Sequence, residues 1–363
     1  MEKVKKLIVI YNGSTVGYLA EVSEGRIGFQ YAEQWVKNGF SISPFSLPLS
    51  NEIYYSAKST FGGLYGVFND SLPDGWGELL IKRMLAKNGV NYDRLSPLTK
   101  LALINGNGLG GLTYEPTLAE KSENNNIDLD ELCADVKKIF DDEAHAKDFD
   151  LLFSLGGSSG GARPKAHIKI NGEEWIVKFP TKTDPLNIGE QEYNANIAAQ
   201  KCGITTNEFM LFPSKTCSGY FGAKRFDRCG DKRVHMISLA ALLETSHRVP
   251  NLDYMHLFQV AQNICSDKEE LYEIFRRMCF NVFYGNRDDH GKNFSFVYDE
   301  SSGSYALSPA YDLTIVTDKP EHEMTVLGNG KPAEADLIAI ADKLKLSKNK
   351  CFGIICTVKD IIA

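Results

Sequence analysis

The sequence has no Cys-x-x-Cys pair, although it carries 8 cysteines, at positions 133, 202, 217, 229, 265, 279, 351 and 356. That absence argues against a zinc finger or a dithiol redox motif. Cys265 and Cys279 fall at apolar helical spacings and are expected as reduced core residues. No apolar run reaches the length of a membrane-spanning helix. Basic charge is scarce: 40 Lys and Arg stand against 47 Asp and Glu, a net charge of −7. This argues against a protein built mainly to coat nucleic acid. There is no basic amphipathic helix, so a membrane-lipid substrate is disfavoured. No internal repeat occurs, and no Gly-x-x-x-x-Gly-Lys-Ser/Thr segment, which disfavours P-loop NTPase chemistry. The start, Met1-Glu2-Lys3-Val4-Lys5-Lys6, leads into a strand rather than a signal peptide. Together these set the expectation of a cytoplasmic protein with reduced thiols and no membrane association.

What is present is an ordinary globular composition, 363 residues with 43% hydrophobic and 24% charged side chains, enough for two or three domains. Lys6 to Tyr11, Asn12-Gly13 and Ser14 to Val22 predict a β-hairpin on a type I′ turn. Ile27 to Tyr31 predicts a further strand, followed by a short helix ending at Gly39. Pro73-Asp74-Gly75-Trp76 opens a helix to about Lys87, with Gly89 as its stop. These elements make an α+β unit over residues 1–115 with no catalytic constellation, expected to serve packing and partner docking. Pro116 to Asn126 is polar and predicts a linker, and Asp128 to Asp142 an amphipathic helix.

A second unit, 127–227, carries a glycine-rich loop from Ser154 to Lys165. Behind it, Ala166 to Ile170 and Glu174 to Phe179 predict a hairpin with Lys178 on its second strand. Gly189 to Cys202 predicts a helix with Glu192 near its start and Tyr193, Ile197 and Ala198 on its apolar side. The third unit, 228–363, is mainly helical, broken around His247 to Asn251.

The most informative stretch is Gly285-Asn286-Arg287-Asp288-Asp289-His290-Gly291-Lys292-Asn293, followed by Ser308-Pro309-Ala310-Tyr311-Asp312. Between them, Phe294 to Tyr298 and Tyr305 to Leu307 predict a hairpin, which returns Asp312 to the end occupied by Asn293. Phosphoryl transfer from a nucleotide needs this set: Asp288 to take a hydroxyl proton, Asn293 and Asp312 to hold Mg²⁺. Asp, Asn and His are also common loop residues, and Asp288-x-x-x-x-Asn293 alone fits a plain surface loop equally well. The preceding helix decides between them. Leu271, Ile274, Phe275, Met278, Cys279, Val282 and Phe283 follow an i, i+3, i+4 stripe that stops at Gly285. A polar loop on a rigid apolar helix is a usual mounting for catalytic residues.

The second unit supplies the complementary set. Glycines let backbone N–H groups approach phosphate oxygens. A strand lysine, Lys178, pairs with α- and β-phosphates, and a helix carboxylate, Glu192, orients that lysine. Each alone is a weak signal, but their order, followed by Asp288, Asn293 and Asp312, is that of a kinase.

On these blocks the chain resembles the HipA family, kinase toxins of HipBA-type toxin–antitoxin systems. The match is carried by Phe45-Ser46-Leu47-Pro48-Leu49, Phe68 to Gly77, Leu109-Gly110-Gly111-Leu112, Ser158 to Lys165, Lys224-Arg225-Phe226-Asp227-Arg228, Asp288 to Ser295 and Tyr311-Asp312. The resemblance implies a bilobal, protein-kinase-like α+β fold with an extra N-terminal α+β subdomain and a mainly helical C-terminal lobe. It implies ATP and Mg²⁺ as cofactors, with ATP contacts from Ser159, Gly160, Gly161, Ala162, Lys178, Lys224, Phe226, Asp227, His290 and Lys292. Lys224 to Asp227 would be the hinge reading adenine, with Asp227 near the ribose. Ser158 matches the family's autophosphorylated serine, with the adjacent Ser159 as the alternative phosphosite; its modification would eject the loop and switch the enzyme off. The implied protein substrate is an aminoacyl-tRNA synthetase such as glutamyl-tRNA synthetase. The implied partner is a HipB-like helix-turn-helix antitoxin, with DNA contacted only through it. The stretch after Asp312 is short, which implies a reduced substrate-docking surface. Competing expectations are a catalytically silent co-repressor and a small-molecule kinase of the same fold. The intact Lys178, Asp288, Asn293 and Asp312 argue against the first.

Overall fold

The computed structural model describes residues 3–22, 26–56, 60–104, 108–118, 128–140, 146–156, 160–316 and 318–363, without the side chains of 140 and 146–150. Most of the linker expected from Pro116 to Asn126, and Ser158 and Ser159, lie outside these residues. Two compact units emerge. One comprises Met1–Gly189, Met210–Ile237 and Ala241–Glu244; the other comprises Glu190–Phe209, Ser238–Ala240 and Thr245–Ala363.

The first unit opens with β1 (Lys6–Tyr11) and β2 (Ser14–Glu21), joined through Asn12 and Gly13 at φ 46° and 80°. Both residues are left-handed, which is the type I′ geometry that matches strand twist. β3 (Ile27–Tyr31), β4 (Ile53–Tyr55) and β5 (Leu112–Glu115) complete an antiparallel sheet in the order β4-β3-β2-β1-β5. Leu7, Val9, Leu19 and Phe29 are fully buried on it, so alternation along each strand sends one face inward. Three helices lie among these strands in the chain: α1 (Glu33–Asn38), α2 (Gly66–Asn69) and α3 (Gly75–Lys87). α4 (Pro97–Ala102) follows, with Ser96 capping its N-terminus through the Thr99 N–H.

The same unit holds a second sheet, built from β6 (Lys165–Ile170), β7 (Glu173–Lys178), β8 (Phe209–Phe212) and β9 (Tyr220–Lys224) in the order β6-β7-β9-β8. Asn171 and Gly172, at φ 52° and 86°, repeat the type I′ turn between β6 and β7. α5 (Leu129–Phe140) and α6 (Ala146–Gly156) close over this sheet. Leu132, Val136, Leu152 and Leu155 meet Trp76, Trp175, Val177 and Phe179 in one core. The glycine-rich loop expected from Ser154 therefore starts later: Ser154, Leu155 and Gly156 form the last turn of α6.

In the second unit, α7 (Ile188–Lys201) buries Glu192, Ala195, Asn196 and Ala199. That face differs from the expected Tyr193, Ile197 and Ala198, which are half-buried. A polar pair four residues apart lies inward instead, and Asn196 Nδ2 donates to the Glu192 carbonyl at 2.9 Å. After α8 (Leu239–Leu242) come α9 (Tyr254–Ile264), α10 (Glu269–Tyr284), α11 (Glu334–Lys343) and α12 (Lys348–Ile362). α10 packs on both α9 and α12. Cys279 is buried on it; Cys265 is half-buried at the end of α9. Among the described residues, no helix is long and apolar enough to cross a membrane.

Two buried histidines give the first unit a pH dependence. His235 is fully buried, its Nε2 donating to the Ile42 carbonyl at 2.9 Å, and burial lowers its pKa to about 4. His167 is held well below its ordinary value by burial and by Arg225, whose guanidinium donates to its Nδ1 at 3.1 Å. A folded pKa below the unfolded value gives stability that is fully present above about pH 6.5 and lost as pH falls toward 4. For His235 the displacement corresponds to about 3 kcal/mol. Thermal unfolding between pH 7 and 4.5 is expected to show a falling Tm, and His235→Gln to flatten that slope. An unchanged slope would contradict the assignment.

Candidate active site

The loop bearing Asp288 is fixed by the end of α10. Gly285 takes φ 81°, ψ 28°, which stops the helix, and its N–H bonds the Asn281 carbonyl at 3.1 Å. A buried chain of hydrogen bonds follows. Asn286 Nδ2 donates to Asn281 Oδ1 at 3.0 Å, and Asn281 Nδ2 to the Tyr254 hydroxyl at 3.0 Å. That hydroxyl donates to Asp289 Oδ2 at 2.8 Å. The ring Nδ1 of His322 lies 2.9 Å from the same oxygen, and the Glu323 N–H donates to Oδ1 at 3.0 Å. Asp289 is thus a 1%-exposed brace. Burial, then the Asp289 charge, raises the Tyr254 pKa well above its ordinary value, so the hydroxyl remains a donor. Adjacent carboxylates have divided their work: Asp289 ties the loop to α9 and to residues 322–324, while the Asp288 side chain stays 38% exposed.

Asp288 and Asn293 are linked directly. The Asn293 Nδ2 donates to the Asp288 carbonyl at 2.7 Å, and the Asn293 N–H to the His290 carbonyl at 2.9 Å. Use of the amide nitrogen leaves Oδ1 as the acceptor end. The predicted hairpin is observed, Ser295–Asp299 against Ser304–Leu307, with Phe296 opposite Leu307. At its base Tyr311 donates to the Lys292 carbonyl at 2.6 Å and shares a 2.6 Å hydrogen bond with Ser295. These bonds join the neighbours of Asn293 and Asp312, so both residues sit at one end of the hairpin. Asp312 adopts φ 53°, a conformation uncommon outside glycine and concentrated at functional sites.

The donor set suits Mg²⁺. A carboxylate and an amide oxygen are hard ligands, and Mg²⁺ commonly takes only one or two from protein and the rest from phosphates and water. Among the described residues, no group of three or more His, Cys, Asp or Glu is placed to hold a metal.

Sequence reasoning missed Lys319. Its ammonium bonds the Asp288 carboxylate and also Glu323 Oε1, the latter at 2.7 Å. Burial pulls the Lys319 pKa down, but the bonds to Asp288 and Glu323 outweigh it and leave the group above its ordinary value. Arg287 secures the Lys319 carbonyl at 2.6 Å, and the Val316 N–H bonds the Gly285 carbonyl at 3.0 Å. The only local signal was an i, i+4 Lys–Glu pair outside any helix, so no periodic pattern drew attention to it. His290 Nδ1 accepts from the Lys292 N–H at 3.2 Å, and its ring lies 5.4 Å from that of His247.

The phosphate-side candidates lie in the first unit. Lys178 ends β7, paired in register with Lys165, and its Nζ is 5.7 Å from the centre of the Phe221 ring. Gly161 takes φ 83°; its N–H is given to the Asp74 carboxylate and its carbonyl accepts from the Trp76 N–H at 2.9 Å. Gly160 accepts from Lys165 Nζ at 2.5 Å. Lys224 pairs with Glu173 at 2.5 Å, and Phe226 is half-buried. Glu192 belongs to the second unit, 1% exposed in the second turn of α7.

Asp227, expected near the ribose, has a different occupation. Its carboxylate accepts from Arg225 at 2.9 and 2.7 Å, from Arg228 at 3.0 Å and from the Gly110 N–H at 2.6 Å. Arg225 and Arg228 also reach the Gly108 carbonyl, at 2.9 and 2.7 Å. Burial pushes the Asp227 pKa up, and the charge and hydrogen bonds of Arg225 more than reverse it, leaving the group well below the usual carboxylate range. The side chain is 4% exposed, so a ribose contact would have to displace one of these donors.

Comparison with known proteins places this geometry. The HipA-like C-terminal domain family matches residues 157–363, and the HipA N-terminal domain family residues 7–115. The chain belongs to the HipA family. A relative from Sinorhizobium fredii, "Putative kinase Y4dM", is 26% identical over 360 residues, covering 91% of this chain and 81% of that protein. A "Putative kinase" of Haemophilus influenzae is 37% identical over 189 residues, 46% of this chain and 54% of that protein. A chain of the Shewanella oneidensis complex of HipA, HipB and operator DNA superimposes with a TM-score of 0.75 at 20% identity, covering 98% of this chain and 88% of its own length. The α+β fold expected for a HipA kinase is therefore the observed one. In general terms the chain is a HipA-type kinase, with the nucleotide use which that class entails.

Proposed function

We propose that this HipA-family chain is an ATP- and Mg²⁺-dependent serine/threonine protein kinase, the toxin of a type II toxin–antitoxin pair. The observation that carries the reading is the division between Asp288 and Asp289. One carboxylate is buried as a brace, and the other is left exposed beside Asn293 with a lysine on it. Asp288 accepts the proton of the attacking hydroxyl. Lys319, on the same carboxylate, places a positive charge where phosphoryl charge develops. Asn293 and Asp312 hold Mg²⁺, which when bound neutralises phosphate charge. Lys178 meets the α- and β-phosphates, and Glu192 orients it. Gly160, Ala162, Lys224, Phe226, His290 and Lys292 complete the nucleotide contacts. Catalysis rests on positioning and charge neutralisation rather than covalent chemistry.

The substrate is an aminoacyl-tRNA synthetase of the glutamyl type, and phosphorylation of Ser158 switches the enzyme off, because a phosphate carries nearly two negative charges into a phosphate-binding loop. The partner is a HipB-like antitoxin, which the Shewanella complex supports, and DNA is met only through it. Incubating the chain and Mg·ATP with a panel of purified aminoacyl-tRNA synthetases should phosphorylate one of them. Transfer to small molecules alone would overturn the protein-kinase reading.

A further inference from the structure

The Pro73-Asp74-Gly75-Trp76 block has no part in the chemistry above, yet it grips the glycine segment that does. Asp74 occupies the N-cap position of α3 with extended backbone, φ −129° and ψ 175°. An aspartate there ordinarily accepts from its own helix. Its side chain makes no cap hydrogen bond; the carboxylate is turned to the Gly161 N–H, 87 residues away. The Asp74 side chain is buried nearly completely. Gly75, at φ 45°, is the point of closest approach. A Cβ there would meet Gly161 O at 2.5 Å, Gly161 C at 2.6 Å and Ala162 Cα at 2.8 Å, all backbone atoms that cannot rotate aside. Trp76 adds two bonds, its N–H to Gly161 O at 2.9 Å and its indole to Lys165 O at 3.1 Å. Lys165 closes the set on Gly160.

We propose that Asp74, Gly75 and Trp76 are positioning residues for nucleotide binding, a clamp from the N-terminal domain that holds the Gly160–Lys165 segment in its binding conformation. The proposal rests on the kinase reading for its function but not for its geometry. Both polar groups of the Gly161 peptide are engaged by this block, so the segment is ordered before any nucleotide arrives. Ordering in advance removes an entropic cost from binding. It therefore acts on affinity for ATP rather than on the chemical step.

The test is hydrogen–deuterium exchange on the full chain, with KM for ATP, kcat and Tm measured alongside. Asp74→Ala and Gly75→Ala are expected to speed exchange across residues 160–165 by about tenfold or more, the scale of a lost hydrogen bond to a charged group. Both should raise KM for ATP more than they lower kcat. Asp74→Asn keeps an acceptor oxygen and should recover most of both properties. Unchanged exchange at 160–165 in both variants would overturn the clamp. So would faster exchange spread over the whole unit with a matching fall in Tm, which would make the block a general stabiliser. If the local exchange effect is present but the wild-type chain binds no ATP, the clamp stands and the kinase reading fails.

Discussion

Asp288→Ala is expected to lower phosphoryl transfer by about 10²–10⁴-fold, the usual contribution of a positioned general base. Mg·ATP binding should survive, because Asn293 and Asp312 remain and Lys319 keeps its bond to Glu323. Asp289→Ala, one residue on, should behave differently. It removes the acceptor of Tyr254, His322 and the Glu323 N–H from a buried site, so the loss is one of stability. Kinase assays paired with nucleotide-induced thermal shifts separate the two variants. Full activity in Asp288→Ala would contradict the base assignment. A stable but inactive Asp289→Ala would show that the two roles are exchanged.

Asp227→Ala is expected to cost about 3–5 kcal/mol, because it takes the nearest carboxylate from two buried cations and leaves them only Glu174, at 3.4 Å from each. The side chain of Arg225 is 0% exposed and that of Arg228 6%, and each loses a carboxylate partner within 3.0 Å. Burial already pulls the Arg228 pKa down to about 10 even with Asp227 present. Tm should fall on the order of 10 °C. Asp227→Asn, which keeps acceptor capacity without the charge, should sit between. Wild-type Tm with weakened ATP binding would instead restore Asp227 to the ribose, so differential scanning calorimetry with and without ATP decides the point.

These two sites show where sequence is informative and where it falls silent. Hairpins built on Asn-Gly are legible because the turn chemistry is local: only residues tolerant of positive φ fit, and Asn12-Gly13 and Asn171-Gly172 declare themselves. The Asn293–Asp312 juxtaposition was legible for the same reason, since a hairpin of short span must return to its start. α6 was not, because Ser154-Leu155-Gly156 adjoins a glycine run and its helical character comes from packing against the core. The buried face of α7 escaped notice because it holds Glu192 and Asn196, polar residues that periodicity assigns to solvent. Lys319 on Asp288 and Asp74 on Gly161 are contacts across 31 and 87 residues, and no local pattern encodes either. Asp227 shows the converse: a residue expected at the ligand by resemblance is held by two arginines close by in the chain, Arg225 and Arg228.

The central claim is that this chain transfers phosphate from ATP with Asp288 as base. Intact mass spectrometry of the wild-type chain and of Asp288→Ala, each after incubation with Mg·ATP, tests it most directly. A phosphate adduct on the wild type alone, mapped to Ser158 or Ser159, is the predicted result. Absence of an adduct on either protein, together with no ATP-induced thermal shift, would contradict the kinase reading and leave a protein that acts by binding alone.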